Sequence, residues 1–278
     1  MNSAAAAALL RDFIATHRRL LVLTGAGCST DSGIPDYRDQ AGQWRRRQPV
    51  MHQEFMSSAA ARKRYWARSM VGWPGFQRAQ PNATHRVLAD LEQRGYVTCL
   101  ITQNVDGLHQ QAGQDKIIEI HGNIGKVVCM SCQVRLPRAK LQLRLETLNP
   151  HFRELVASPA PDADADLEPD DLSAFEVPAC LHCGGLLKPD VVFFGDNIPR
   201  QHVATAMAEL EQAAALLVVG SSLMVYSGFR FCQQAKVLGK PIAALNRGVT
   251  RADDLLDLKL DLSCAEVLTH VADKMPRT

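Results

Sequence analysis

Two Cys-x-x-Cys turns, Cys129-Met-Ser-Cys132 and Cys180-Leu-His-Cys183, constrain the fold of this chain more than any other feature. Two thiolates on each of two tight turns can converge tetrahedrally on one ion. The pairing therefore predicts a four-cysteine zinc site rather than a redox couple. Four thiolates leave no open coordination position, so the metal is expected to be structural. Gly184 and Gly185 supply the second turn, and His182 is expected to be an exposed turn residue rather than a fifth ligand. The other cysteines, Cys28, Cys99, Cys232 and Cys264, are scattered. With no secretory signal to read, a disulfide framework is not expected.

Around these turns, apolar strands alternate with helical patterns. Leu20–Thr24 runs into GAG, Val97–Thr102 into QNVDG, Leu216–Val219 into GSS and Pro241–Leu245 into NRG. Each reads as a buried parallel strand with a polar or glycine-containing turn at its carboxyl end. Helical spacing recurs between them, over Thr84–Arg94 and His202–Ala214. The expectation is an α/β, doubly wound, parallel Rossmann-like sheet, with ligands outside the carboxyl ends of its strands. Residues 1–40, 81–124 and 190–278 would form that domain. Residues 41–80, rich in Arg, Met and Trp, would be an inserted helical module, and 125–189 a small zinc-binding domain.

A net charge of +2 argues against non-specific nucleic-acid binding as the main activity. No apolar run approaches the roughly 18 residues of a membrane span. The Ala-rich start reads as an amphipathic first helix through Leu9, Leu10, Phe13 and Ile14, leaving no room for a removable peptide before Gly25. The acidic run Pro161–Asp171 carries Asp162, Asp164, Asp166, Glu168, Asp170 and Asp171, with Glu176 nearby. It is expected to be a solvated insertion loop rather than a cation site or a patch for a basic partner.

Three turns carry chemistry. Gly25-Ala26-Gly27 after a strand lets backbone N–H groups approach a pyrophosphate. It lacks the third glycine of GxGxxG, since position 30 is Thr30, so spacing leaves a phosphate cradle and a plain turn both open. Asp36, Tyr37 and Arg38 follow a rigid Ile-Pro and add a carboxylate, an aromatic and a guanidinium. Cys28 is expected to be packed rather than nucleophilic. Gln103, Asn104 and Asp106 offer two amides and a carboxylate suited to ribose hydroxyls and an amide head group, and Asp106 could equally cap a helix. His121 is delivered by the strand-like run Lys116–Ile120, just ahead of Gly122 and the cysteine insertion. There an imidazole can serve as a base near neutral pH.

These motifs, in their order along residues 20 to 265, resemble the sirtuins, NAD-dependent protein lysine deacylases. GAGCSTDSGIPDYR, TQNVDGLH, His121-Gly122, the two CxxC turns, KPDVVFFGD, VVGSS and NRG carry the resemblance. Arg64-Tyr65-Trp66-Ala67-Arg68 and Val71-Gly72-Trp73-Pro74 look most like the class II branch. A bacterial cytoplasmic protein is the reading that follows, or a mitochondrial-matrix one if the source is eukaryotic.

The resemblance implies roles. Gly25, Ala26, Gly27, Asp36, Tyr37 and Arg38 would contact NAD. Gln103, Asn104 and Asp106 would hold its nicotinamide-ribose end. Gly220, Ser221, Ser222, Asn246, Arg247 and Gly248 would hold the adenosine half, with Cys264 near the adenine. Ser221-Ser222 stands where many members have Thr-Ser, which keeps a hydroxyl. Val191, Val192, Phe193, Phe194 and Gly195 would pair as a strand with an acylated-lysine peptide, and Asp196 replaces a more frequent Glu. Cys129, Cys132, Cys180 and Cys183 would bind one structural zinc. His121 would be the general base, with Asn104 a second catalytic residue. The implied reaction has the acyl oxygen attack C1′ of the nicotinamide ribose, consuming NAD and yielding nicotinamide, free lysine and O-acyl-ADP-ribose. Tyr65 and Arg68 reproduce a Tyr-x-x-Arg spacing that marks acidic-acyl preference in another sirtuin class. Side chains at i and i+3 share a helix face, so the pair could grip a carboxylate or simply pack. Protein mono-ADP-ribosyl transfer, a non-catalytic zinc and nucleotide module, and a dehydrogenase are the alternatives. The dehydrogenase would require the missing GxGxxG, and a pure binder needs no base at His121.

Overall fold

The computed structural model describes residues 1–278 except 46–48, 153–154, 156–157, 167–171 and 276–278. In chain order its helices are α1 (Ser3–Thr16), α2 (His52–Ser57), α3 (Ala59–Gln77), α4 (Ala83–Gln93), α5 (Leu108–Gln111), α6 (Arg138–Leu148), α7 (Arg200–Gln212), α8 (Tyr226–Val237) and α9 (Cys264–Ala272). The strands are β1 (Leu20–Thr24), β2 (Val97–Thr102), β3 (Ile117–Glu119), β4 (Gly122–Cys129), β5 (Arg135–Pro137), β6 (Ser158–Pro159), β7 (Ala165–Asp166), β8 (Leu187–Val191), β9 (Ala215–Val219), β10 (Ile242–Leu245) and β11 (Leu258–Leu260).

Six strands form one sheet in the order β11-β10-β9-β1-β2-β3, every pair parallel. Every residue of β1 and β9 is buried, as strands covered on both faces must be. Ala6, Leu10 and Ile14 of α1, with α4 and α9, cover one face. Ala206 and Leu210 of α7, with Phe231 and Cys232 of α8, cover the other. Leu9 lies off this pattern and is exposed.

The register positions the site. Thr24 pairs with both Thr102 and Val219, and Val219 with Leu245. The residues that follow, Gly25, Gln103, Gly220 and Asn246, therefore stand along one edge. Strand order reverses between β1 and β9, where an open α/β sheet leaves a crevice.

The helical segment 41–80 and the cysteine segment share a third core. Phe55, Trp66, Met70 and Trp73 pack with Cys129, Leu141, Leu145, Phe175 and Leu187. Arg138 of α6 is fully buried there. Its guanidinium lies 5.3 and 4.9 Å from the rings of Trp66 and Trp73 and donates to the Ser69 carbonyl and hydroxyl.

The acidic run departs from expectation. Its first part is a packed antiparallel hairpin, β6 on β7, with Ala163 and Ala165 buried. Small alanines between the acids let it lie on α3. Glu168, Asp170 and Asp171 fall outside the described residues. No described helix is long and apolar enough to cross a membrane.

Candidate functional site

Glycines build the floor of the site. A Cβ on Gly25 would sit 2.7 Å from Ser221 Cβ, and one on Gly27 would sit 2.9 Å from the Gly220 carbonyl oxygen. Gly220 itself has φ +62° and presses on the Cys28 backbone. The Gly27 N–H donates to the Gly220 carbonyl at 2.8 Å. Only residues without Cβ let the turns after β1 and β9 meet this closely. Cys28 is buried, its thiol donating to the Val219 carbonyl, as a packed cysteine should be.

Above this floor opens a crevice of about 1110 Å³. It is lined by Gly25, Ala26, Gly27, Asp36, Tyr37, Arg38, Gln103, Asn104, Asp106, Gly220, Ser221, Ser222, Asn246, Arg247 and Cys264. Gly248 stands apart. Its N–H bonds Asp261, and a Cβ there would strike the Gln40 carbonyl at 2.2 Å, so it serves loop packing outside the crevice. Arg38 lays its guanidinium 4.1 Å over Trp44 and bonds the Gly42 carbonyl.

His121 lines the same crevice between two fixed partners. Its Nδ1 lies 2.8 Å from the Gln103 carbonyl oxygen and its Nε2 lies 2.9 Å from Ser227 Oγ. A carbonyl only accepts, so Nδ1 carries the proton and Nε2 the lone pair. Burial holds the imidazole below its ordinary pKa, against the Gln103 carbonyl, which favours the charged form. Gln103 is itself pinned, its Oε1 accepting from Ser221 Oγ at 2.6 Å. Gly228 of α8 gives it room.

A buried polar network stands behind Asn104. Its amide donates to the Gly25 carbonyl and to Ser29 Oγ, both at 3.1 Å, while Ser29 donates to Asp106 at 2.7 Å. Asp106 also accepts the N–H of Leu108, the first residue of α5, while facing the crevice. Burial raises its carboxyl pKa. The His85 and His109 rings pack tilted, with centroids 4.7 Å apart, and His109 Nε2 lies 3.0 Å from Thr24 Oγ1. Burial drives their pKa values down to about 4 and about 3. Ser29 and His109 fell within the quoted motifs but were given no role, and His85 and Ser227 did not stand out in the sequence. Single histidines and serines carry no spacing signal.

Residues 191–195 border the crevice, but the strand stops at Val191. The expected strand over Val191–Gly195 is thus shorter. The Phe194 carbonyl accepts the His52 N–H, and Gly195 turns the chain with φ +81°. Val192 donates to the His121 carbonyl at 2.8 Å, tying this wall to the imidazole.

Tyr65 and Arg68 also line the crevice. Tyr65 packs 5.2 Å from the Phe193 ring. Arg68 reaches both oxygens of Asp164, at 2.9 and 2.7 Å. Tyr37 donates to Asp162, whose carboxyl is pushed up to about 6 by burial. The acidic hairpin therefore closes one end of the crevice, and Asp162 and Asp164 belong to its lining.

Away from the crevice, the Sγ atoms of Cys129, Cys132, Cys180 and Cys183 lie within 4.8 Å of one another. Zinc–thiolate bonds of about 2.3 Å put tetrahedral sulfurs about 3.8 Å apart. The Cys129–Cys183 and Cys132–Cys180 separations, 3.5 and 3.9 Å, fit that donor set. His182 is exposed and outside it.

Comparison with known proteins agrees with this geometry. The model of the family described as "Sir2 family" matches residues 25–227. A Xanthomonas campestris protein named NAD-dependent protein deacetylase is 60% identical over 262 residues, covering 94% of this chain and 89% of that one. A Bordetella bronchiseptica protein of the same name is 58% identical, covering 94% and 96%. A solved Sir2 structure with a p53 peptide and NAD+ superposes with a TM-score of 0.75 at 30% identity, covering 96% of this chain and 97% of that one. A Sir2 bound to acetylated peptide gives 0.75 at 30%, with the same coverage.

Proposed function

The chain belongs to the Sir2 family, and on that premise we propose that its crevice performs NAD-dependent protein lysine deacetylation with His121 as general base. The activity is the one named for relatives at 60% identity over 94% of the chain. The observation that carries the residue assignment is the fixed tautomer of His121. Its Nδ1 proton is spent on the Gln103 carbonyl, leaving the Nε2 lone pair toward Ser227 and the crevice.

The glycine cradle at Gly25, Gly27 and Gly220 fits a dinucleotide, since side chains there would force apart the two turns whose backbone forms the floor of the crevice. Bound NAD supplies an electrophilic ribose carbon with nicotinamide as its leaving group. Asn104 and Asp106 orient the ribose, held in place by Ser29. Ser222, Asn246 and Arg247 hold the adenosine half. His121 Nε2 takes a proton from a sugar hydroxyl that displaces the Ser227 contact. Its depressed pKa keeps it neutral and ready at pH 7. The acetylated peptide lies along Val192–Gly195. The Val192 N–H and the Phe193 and Phe194 carbonyls are already bonded within the chain, so the peptide pairs with the remaining backbone groups. The four cysteines would hold one zinc, which would shape the insertion and, with no open coordination position, take no part in the chemistry. Four metal-binding thiolates suit a reducing compartment, and the relatives are bacterial; we place the protein in the cytoplasm.

Mass spectrometry of products from an acetyl-lysine peptide tests the reading. We expect nicotinamide, free lysine and O-acetyl-ADP-ribose in equal amounts. His121→Ala should lose about 10²- to 10⁴-fold in deacetylation rate while still binding NAD. Activity within threefold of the parent, roughly, would remove His121 from the role of base.

A further inference from the structure

The hairpin that closes the crevice is built at a conformational cost. Its turn is Pro161-Asp162-Ala163-Asp164, closed by the Asp164 N–H donating to the Pro161 carbonyl at 3.2 Å. Asp162 and Ala163 both have φ +56°. Two successive left-handed residues make the tight hairpin turn usually given to Asn-Gly or Gly-Gly. An alanine there is strained, and strain of this kind persists where surrounding structure imposes it. Here α3 imposes it. Gly72 lies so close that a Cβ would be 2.4 Å from the Asp164 carbonyl oxygen. One turn earlier on α3, Arg68 delivers Nε and Nη2 to the two Asp164 carboxylate oxygens.

A continuous wall joins this ion pair to the reacting centre. Val192 bonds the His121 carbonyl, Phe193 follows it, and the Tyr65 ring lies 5.2 Å from Phe193. Arg68 is one helical turn beyond Tyr65. Val105 and Ile124 complete an apolar lining.

We propose that Asp164 is a specificity-determining residue: its carboxylate occupies the guanidinium fork of Arg68, so the channel accepts neutral acyl groups and rejects acidic ones. The proposal rests on the deacylase reading above and names the substrate class of that site. A dicarboxylic acyl chain needs the fork that Asp164 already fills. Displacing Asp164 would leave two carboxylates side by side, with Asp162 close by as a third. Arg64, also in the lining, is paired with Glu54 and offers no substitute. A neutral chain asks nothing of Arg68 and meets only the apolar wall.

The test is kcat/KM on one peptide carrying acetyl-, butyryl- or succinyl-lysine. It is run for the wild type, Asp164→Asn, Asp164→Ser and the double variant Asp164→Asn with Arg68→Met. The wild type should process succinyl at least about tenfold less well than acetyl. Freeing Arg68 should raise the succinyl-to-acetyl ratio by about tenfold to a hundredfold, the worth of a charge-assisted pair. Removing Arg68 in that background should cancel the gain. The serine variant serves if the asparagine one does not fold. A wild type that removes succinyl as well as acetyl, or a ratio unmoved in either folded variant, overturns the proposal. A wild type that releases no nicotinamide with any acyl peptide instead sinks the deacylase reading.

Discussion

The crevice floor and the inserted module hold their shapes by opposite means. The floor is set by absence: Gly25, Gly27 and Gly220 have no Cβ, and two loops close to hydrogen-bond distance. The module is set by presence: a buried guanidinium between two indoles, a bidentate ion pair and four converging thiols. The floor uses partners adjacent in the sheet, fixed by strand register. The module uses partners that no strand register aligns, such as Arg68 with Asp164 and Cys132 with Cys180. In the proposed reaction, the cofactor side would be set by backbone geometry, whereas the acyl side would depend on side-chain pairing and on a metal held by the four cysteines.

The strongest way to break that contrast is to remove the metal. Structural zinc contributes apparent folding free energies of about 10–16 kcal/mol in small zinc domains. Cys129 and Cys180 share a core with Trp66, Leu141 and Phe175. Chelation, or Cys180→Ser, should therefore loosen the insertion and α3 together and leave β1 and β9 protected. Hydrogen exchange reads this directly. Equal loss of protection in the large sheet would show that the two regions are one cooperative unit.

Gly220→Ala should strike the other side. A Cβ there would lie 2.4 Å from the Cys28 backbone nitrogen, and φ +62° disfavours any L side chain. We expect a loss of about 2–4 kcal/mol in stability and weaker NAD binding with the metal retained. Calorimetry and cofactor titration measure both. A variant with unchanged melting temperature and affinity would mean the two loops can part at no cost.

The same contrast explains what could be read from the sequence. Gly25–Gly27, Gln103–Asp106, Gly220–Ser222 and Asn246 each follow an apolar run, so strand periodicity and turn chemistry place them at one edge. CxxC spacing does the same for the thiols. The hairpin at Asp162 and Asp164 was hidden because its acids mimic a solvated loop and its turn uses Asp-Ala where Asn-Gly would announce it. Arg138 looks like a surface cation until the tertiary fold brings Trp66 and Trp73 to it, and the Tyr-x-x-Arg spacing that singled out Arg68 gave no sign of its partner Asp164. Gly248 follows the same strand end as Asn246 but packs on Gln40 outside the crevice lining, which its place in the sequence does not reveal.

The smallest effect sharpens the comparison by titration. On the floor side, burial lowers His85 to about 4 and His109 to about 3, against an ordinary value near 6.5. On the acyl side, burial raises Asp162 to about 6. Between pH 6.5 and 4 the unfolded chain binds protons that the two folded histidines refuse. Their contribution to stability is therefore complete above pH 6.5 and falls as pH drops, by up to about 1.4 kcal/mol per unit for each. Asp162 works the other way. The folded state holds its proton below pH 6 while the unfolded state releases it down to about pH 4, so stability rises with acid there. His109→Gln, which keeps a partner for Thr24, should flatten the fall in unfolding free energy below pH 6.5. Asp162→Asn, which keeps an acceptor for Tyr37, should steepen it. Urea titrations at half-unit pH steps measure both slopes. If the two variants shift the slope in the same direction, at least one of the burial assignments is wrong, and the floor and the hairpin do not differ electrostatically as their packing requires.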